Sequence, residues 1–177
     1  TANGIGSVAI GSSGDGTTNS LNGAVATGNH ALALMAGSKA SNTNTVAIGT
    51  NANAVGQNNV SLGAGTVTGN TDSLVPDSAA LGVGGGGQIA IGSNAKTDTV
   101  GSISIGANAV TGAGSNFGIA IGGLAQATGN SAIAFGRAAQ ANGQNALACG
   151  GRGTSASGIS ATAIGASSHV TGNESTA

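Results

Sequence analysis

The chain has no tryptophan, no tyrosine, two phenylalanines, one proline and one cysteine in 177 residues. Charged residues make up 5%, against about a quarter in ordinary soluble domains. Each shortage excludes something. A conventional globular core needs large side chains, and almost no aromatics are on hand to build one. The single cysteine cannot form an internal disulfide. Collagen is excluded because proline is nearly absent and glycine follows no strict three-residue period. Four basic and five acidic residues leave no electrostatic footprint for nucleic acid. No apolar run approaches the roughly 20 residues that span a bilayer. No signal peptide is visible: "ALALMAG" at 31–37 is too short, and no basic region precedes it. Any export or anchoring signal is therefore expected outside this sequence. Disorder fits poorly too, since its signature is low hydrophobicity with high charge, and this chain is nearly neutral and mildly apolar.

What the chain has is glycine, 35 of them, and a phrase that keeps returning. The phrase is an apolar residue, a small one, a second apolar one, then Gly. It reads Val8-Ala9-Ile10-Gly11, Val46-Ala47-Ile48-Gly49, Val60-Ser61-Leu62-Gly63, Ile89-Ala90-Ile91-Gly92 and Ile103-Ser104-Ile105-Gly106. It continues through Ile119–Gly122, Ile133–Gly136, Leu147–Gly150 and Thr162–Gly165, with weaker copies ending at Gly28, Gly37 and Gly82. The commonest step between closing glycines is 14 residues. Outlying neighbours, such as the steps into and out of Gly82, together approach two units and read as insertions offset by shortened copies. After the glycine comes a second half-phrase with Ala three and often five residues on, as in Ala52 and Ala54 or Ala139 and Ala141. Many copies then close on another glycine, such as Gly56, Gly129 and Gly143.

Period-two alternation is the strand signal. No window carries a 3.6-residue period, and the glycines oppose helix at about 1 kcal/mol each. Two short strands per 14 residues, repeated without a reversal signal, make one coil of a parallel solenoid. About twelve coils stacked at about 4.8 Å give a rod roughly 55 Å long. The reading is a single domain over residues 1–177, with irregular insertions near 12–23 and 64–81 and a shortened coil near 82–92. A coil this small leaves little room inside, so one strand must present Ala, while Val, Ile and Leu on the other can fill the remaining space. The spacing leaves open which face of the Val-Ala-Ile strand looks inward. That strand is apolar on both faces, and such strands are usually buried on both. Self-association through the outer face follows, with the number of chains left open.

The repeat resembles the YadA-like head of trimeric autotransporter adhesins. It carries that family's pattern as Asn44-Thr45-Val46-Ala47-Ile48-Gly49 followed by Ala52, Ala54 and Gly56, and again as Asn145-Ala146-Leu147-Ala148-Cys149-Gly150. The resemblance covers nearly the whole chain. It implies an all-β fold, a left-handed parallel β-roll assembled as a homotrimer, with the Val-Ala-Ile strands nearest the shared axis. It also implies two further copies of the chain as partners and a host matrix or cell-surface molecule as ligand, with self-aggregation as a further property. Display on a Gram-negative surface is implied too, through an outer-membrane anchor absent from this sequence. The irregular units at 12–23, 64–81 and 82–88 depart from the family repeat, and binding in the family can reside in such insertions.

No residue pattern argues for catalysis. Cys149 stands where the phrase has Ile and reads as a small buried apolar residue. His30 and His169 stand alone, and no Cys/His/Asp cluster has metal-ligand spacing, so neither metal nor cofactor is expected. Asp15, Asp72, Asp77, Asp98 and Glu174 are scattered. Asp72 and Asp77 flank Pro76 and are the pair a polysaccharide-acting β-helix enzyme would need. Such a site also needs a pocket and convergent polar groups, and solvated loop carboxylates are the plainer reading. "GVGGGGQ" at 82–88 matches neither a phosphate-cradling nor a calcium-binding loop. Lys39, Lys96, Arg137 and Arg152 fall just after repeat glycines and are the weak surface candidates for docking an acidic ligand. Thr66, Thr68 and Thr111 raise an ice-binding solenoid as the rival class. That class needs Thr at matching positions in successive coils, whereas here the ladder is Ala.

Overall fold

The computed structural model describes residues 1–11, 23–68, 87–112 and 115–177. Among these residues there is no helix, and twenty short strands alternate in length. The three-residue strands are β1 (Val8–Ile10), β3 (Leu32–Leu34), β5 (Val46–Ile48), β7 (Val60–Leu62), β9 (Ile89–Ile91), β11 (Ile103–Ile105), β13 (Ile119–Ile121), β15 (Ile133–Phe135), β17 (Leu147–Cys149) and β19 (Thr162–Ile164). The two-residue strands are β2 (Val25–Ala26), β4 (Lys39–Ala40), β6 (Asn53–Ala54), β8 (Val67–Thr68), β10 (Lys96–Thr97), β12 (Val110–Thr111), β14 (Gln126–Ala127), β16 (Gln140–Ala141), β18 (Ser155–Ala156) and β20 (His169–Val170). Odd strands stack in one ten-stranded parallel sheet and even strands in another. The chain thus winds as a parallel β-solenoid of about 14 residues per turn.

The interior is made of the smallest side chains. The middle residue of each three-residue strand points inward: Ala33, Ala47, Ser61, Ala90, Ser104, Ala120, Ala134, Ala148 and Ala163 are fully buried. The second residue of each two-residue strand meets them, as at Ala40, Ala54, Ala127 and Ala141. This decides the open question of facing and corrects one expectation. Val, Ile and Leu do not share the lumen; they flank the inward residue and point out. The reason is volume: with Ala facing Ala the two sheets close together, and extra methylenes inside would force the backbone apart.

The corners explain the turn residues. Before each three-residue strand one residue adopts positive φ, as at Asn44, Asn58 and Asn145, and a second does so between the two strands, as at Asn51, Asn94 and Asn108. Asn tolerates this left-handed conformation better than most residues. The Asn44 amide also donates to Asn58 Oδ1 of the next coil at 3.1 Å. Thr45 donates its hydroxyl to the Asn42 carbonyl three residues back at 2.6 Å, and Thr66 to Gly63 at 2.9 Å. Where Ala stands instead, the turn is held by backbone alone, as Ala52 N–H to Gly49 O at 3.0 Å. The phrase-closing glycine is required by close approach. A Cβ on Gly49 would lie 2.5 Å from the Gly63 carbonyl carbon and oxygen, and Gly49 has φ of 132°.

The described residues form ten coils where the spacing suggested about twelve. The weak copy at Gly28 is the short strand β2 of the first coil and adds no coil of its own, and the second coil's strand Leu32–Leu34 ends at Met35, with φ of 85° in place of the glycine. The copy at Gly82 lies outside the described residues. Val60 on β7 pairs directly with Ile89 on β9, so the step there is 29 residues rather than two units. The expected insertions fall largely on residues 12–22 and 69–86, outside the described residues. Residues 64–68 of the second follow the regular pattern and supply β8, and the end of the shortened copy at 82–92 supplies β9.

Candidate functional site

Ten coils in register turn a local alternation into a surface. The first and third residues of the odd strands stack in two outward columns. Val8, Leu32, Val46 and Val60 begin one, and Ile10, Leu34, Ile48 and Leu62 the other. The columns run on to Leu147 and Thr162, and to Cys149 and Ile164. No position in either column is charged. Nine steps of about 4.8 Å make the stripe roughly 43 Å long. Its residues are half-buried or exposed in the isolated chain: Ile10 is 63%, Phe135 53% and Ile164 58% exposed. Single exposed apolar residues are ordinary, but a continuous stripe of this length marks an interaction surface.

The other sheet is different. Its outward column reads Val25, Lys39, Asn53, Val67 through β8, then Lys96, Val110, Gln126, Gln140, Ser155 and His169. It is mixed and mostly polar, so the coil has one apolar and one water-compatible face. Thr66, Thr68 and Thr111, on which the ice-binding alternative leaned, are fully buried. They face the lumen and cannot form a flat threonine array for solvent.

The basic residues do not converge. Lys39 and Lys96 are exposed and share a column with β6 and β8 between them. Lys96 Nζ lies 2.9 Å from Asp98 Oδ2. Arg137 and Arg152 are exposed in the turns after β15 and β17. Lys39 on the second coil and Arg152 on the ninth are roughly 34 Å apart along the axis. They do not make a single site. Cys149 corrects its expectation of burial: it is only partly covered and lies in the apolar stripe between Phe135 and Ile164. Its position on the third strand residue, outward once Ala148 is inward, is the physical reason. His30 occupies an exposed turn at φ 54°, His169 the exposed outer side of β20, and Glu174 an exposed turn. Asp15, Asp72, Asp77 and most of 82–88 lie outside the described residues. Among the described residues no three His, Cys, Asp or Glu side chains are grouped to hold a metal.

One feature escaped the sequence reasoning. The residue just before each three-residue strand faces the lumen, as Ala31, Ala132 and Ala146 do. At two consecutive coils that place holds Asn59 and Gln88, both fully buried. The signal was an amide where the repeat elsewhere keeps Gly, Ala, Ser or Thr.

A family model, the YadA head domain repeat in two copies, matches residues 36–52, 40–66, 89–109, 113–139, 127–152 and 156–177, together more than half of the chain. No curated protein sequence matches at a significant level. Among solved structures, the crystal structure of the collagen-binding domain of the Yersinia adhesin YadA superposes with a TM-score of 0.58. Its identity is 22%, over 97% of this chain and 79% of that one, which carries the fold alone.

Proposed function

The chain belongs to the YadA head domain repeat family, and on that premise we propose that it is the non-catalytic binding head of a cell-surface adhesin. In this reading three copies assemble side by side with their apolar stripes toward a common axis. The polar sheet faces outward and meets a host extracellular matrix protein or cell surface. The likeness to a collagen-binding domain makes collagen the first ligand to try. Lys39, Lys96, Arg137 and Arg152 are dispersed contacts for acidic groups on that ligand, and contacts between heads on neighbouring cells would produce self-aggregation.

The observation that carries the reading is the uncharged stripe of outward Val, Ile and Leu along the odd strands. A chain whose lumen holds mainly methyl groups leaves its large apolar side chains unburied. Association is the way to remove them from water.

The test begins with solution mass by light scattering over a dilution series. The expected species is three times the 16.1 kDa chain. A folded monomer at every concentration would overturn the trimeric assembly. Immobilised collagen then tests the ligand: saturable binding supports the adhesin reading, and no binding to collagen, laminin or fibronectin by a folded trimer argues against matrix recognition. Cys149 provides a check on geometry. With the stripe at the axis, thiol oxidation should give a disulfide-linked pair and one free thiol per trimer.

A further inference from the structure

The alanine lumen is not continuous. One buried apolar cluster runs from Ala24 to Ala54 and a second from Ala109 to Val170. Between them the interior turns polar. Asn59, Ser61, Thr68, Gln88, Thr97, Ser104 and Thr111 are all fully buried there. Some of these groups satisfy one another. Ser61 and Thr68 hydroxyls lie 2.9 Å apart across the lumen, and Ser104 donates to the Lys96 carbonyl at 2.7 Å.

The two amides are different. Asn59 Oδ1 accepts from the backbone N–H of Gln88 at 3.2 Å. Gln88 Oε1 accepts from the Thr97 hydroxyl at 3.2 Å. The first bond fixes the Asn59 amide, because turning it would set N–H against N–H, and the second places the Gln88 oxygen toward Thr97. Their nitrogens, Asn59 Nδ2 and Gln88 Nε2, are then buried without a partner, as is the Thr111 hydroxyl. Burying a polar group without a partner is costly because its hydration is lost and not replaced, and three in neighbouring coils ask for an occupant.

We infer that the lumen between β7 and β12 is a hydration site, holding at least one ordered internal water that accepts from the Asn59 and Gln88 amides. The chemistry selects water. Two NH₂ groups need lone pairs, which excludes a metal cation. A halide would supply lone pairs but would bring a charge into a lumen with no buried cation. Water accepts two bonds and returns its own protons to spare lone pairs on the amide oxygens and hydroxyls.

The experiment is water oxygen-17 relaxation dispersion on the whole chain, with a high-resolution crystal structure beside it. The native chain should show a long-lived internal water, and density should lie within hydrogen-bond distance of Asn59 Nδ2 or Gln88 Nε2. The double variant Asn59→Ala/Gln88→Ala restores the residue found at this place in the alanine coils and should lose that dispersion while remaining folded. Should the double variant not fold, Gln88→Ala alone serves, with a reduced dispersion expected. A native chain with no long-lived water, a dispersion unchanged in a folded variant, amides turned onto protein carbonyls, or an anomalous bromide peak at the site after soaking would each overturn the inference.

Discussion

Ala120 and Ile121 are neighbours on β13, and placing Asp at each should give opposite failures. Ala120 faces the lumen at 0% exposure, between Ser104 and Ala134 of the adjoining coils. A carboxylate there is buried without a cation or a hydrogen-bond network, at a cost of several kcal/mol. Total stabilities are only about 5–15 kcal/mol, so Ala120→Asp should lose its β circular dichroism. Ile121 points outward and is half-buried in the isolated chain. Ile121→Asp should therefore leave the coil folded and act on assembly. Covering the remaining half of an Ile is worth about 1 kcal/mol per chain, or about 3 for a trimer. That alone is more than a hundredfold in association, and three like charges near one axis add to it. Circular dichroism and light scattering on both variants decide the matter. A stable Ile121→Asp trimer, or an unfolded Ile121→Asp beside a folded Ala120→Asp, would refute the assignment of faces.

Other substitutions probe the corners and the lumen. Gly122→Ala should lower the denaturant midpoint by the equivalent of roughly 2–3 kcal/mol, since its Cβ would meet the Gly136 carbonyl at 2.6 Å and φ is 129°; an unchanged midpoint would contradict the stacked-glycine geometry. Leu124 is 49% exposed at φ 63°, a place where other coils carry Asn. Leu124→Asn should raise stability by about 1 kcal/mol, and a fall would mean that Leu124 packs against a neighbouring chain. Ser61→Ala strips Thr68 of its hydroxyl partner and should cost about 1–3 kcal/mol in chemical denaturation, although Ala fits the site by size. No loss would show that Thr68 re-pairs elsewhere.

Several features were legible from residues alone. The Val-Ala-Ile-Gly phrase and its Ala half-phrase gave two strands per coil, because period two belongs to strands and glycine stacks where coils meet backbone to backbone. The surplus of apolar surface was legible too, since the strand of the phrase is apolar or small on both faces in nearly every copy. Less visible was the lumen around Asn59 and Gln88. An amide before a strand looks like turn chemistry until the neighbouring coils close over it.

The sequence by itself determined the coil: its length, its strands, its small interior and its uncharged strand. Local spacing and side-chain volume suffice for those, and each copy repeats the same constraints. Only the tertiary structure decided which side of the strand is inside. Alternation has two equivalent faces, and the choice falls to the one whose side chains fit between two sheets. It also decided that Leu32–Leu34 ends on Met35 and that β7 meets β9 across 69–86. Register across an irregular segment is set by the ladder it must rejoin, and distance along the chain carries no record of that.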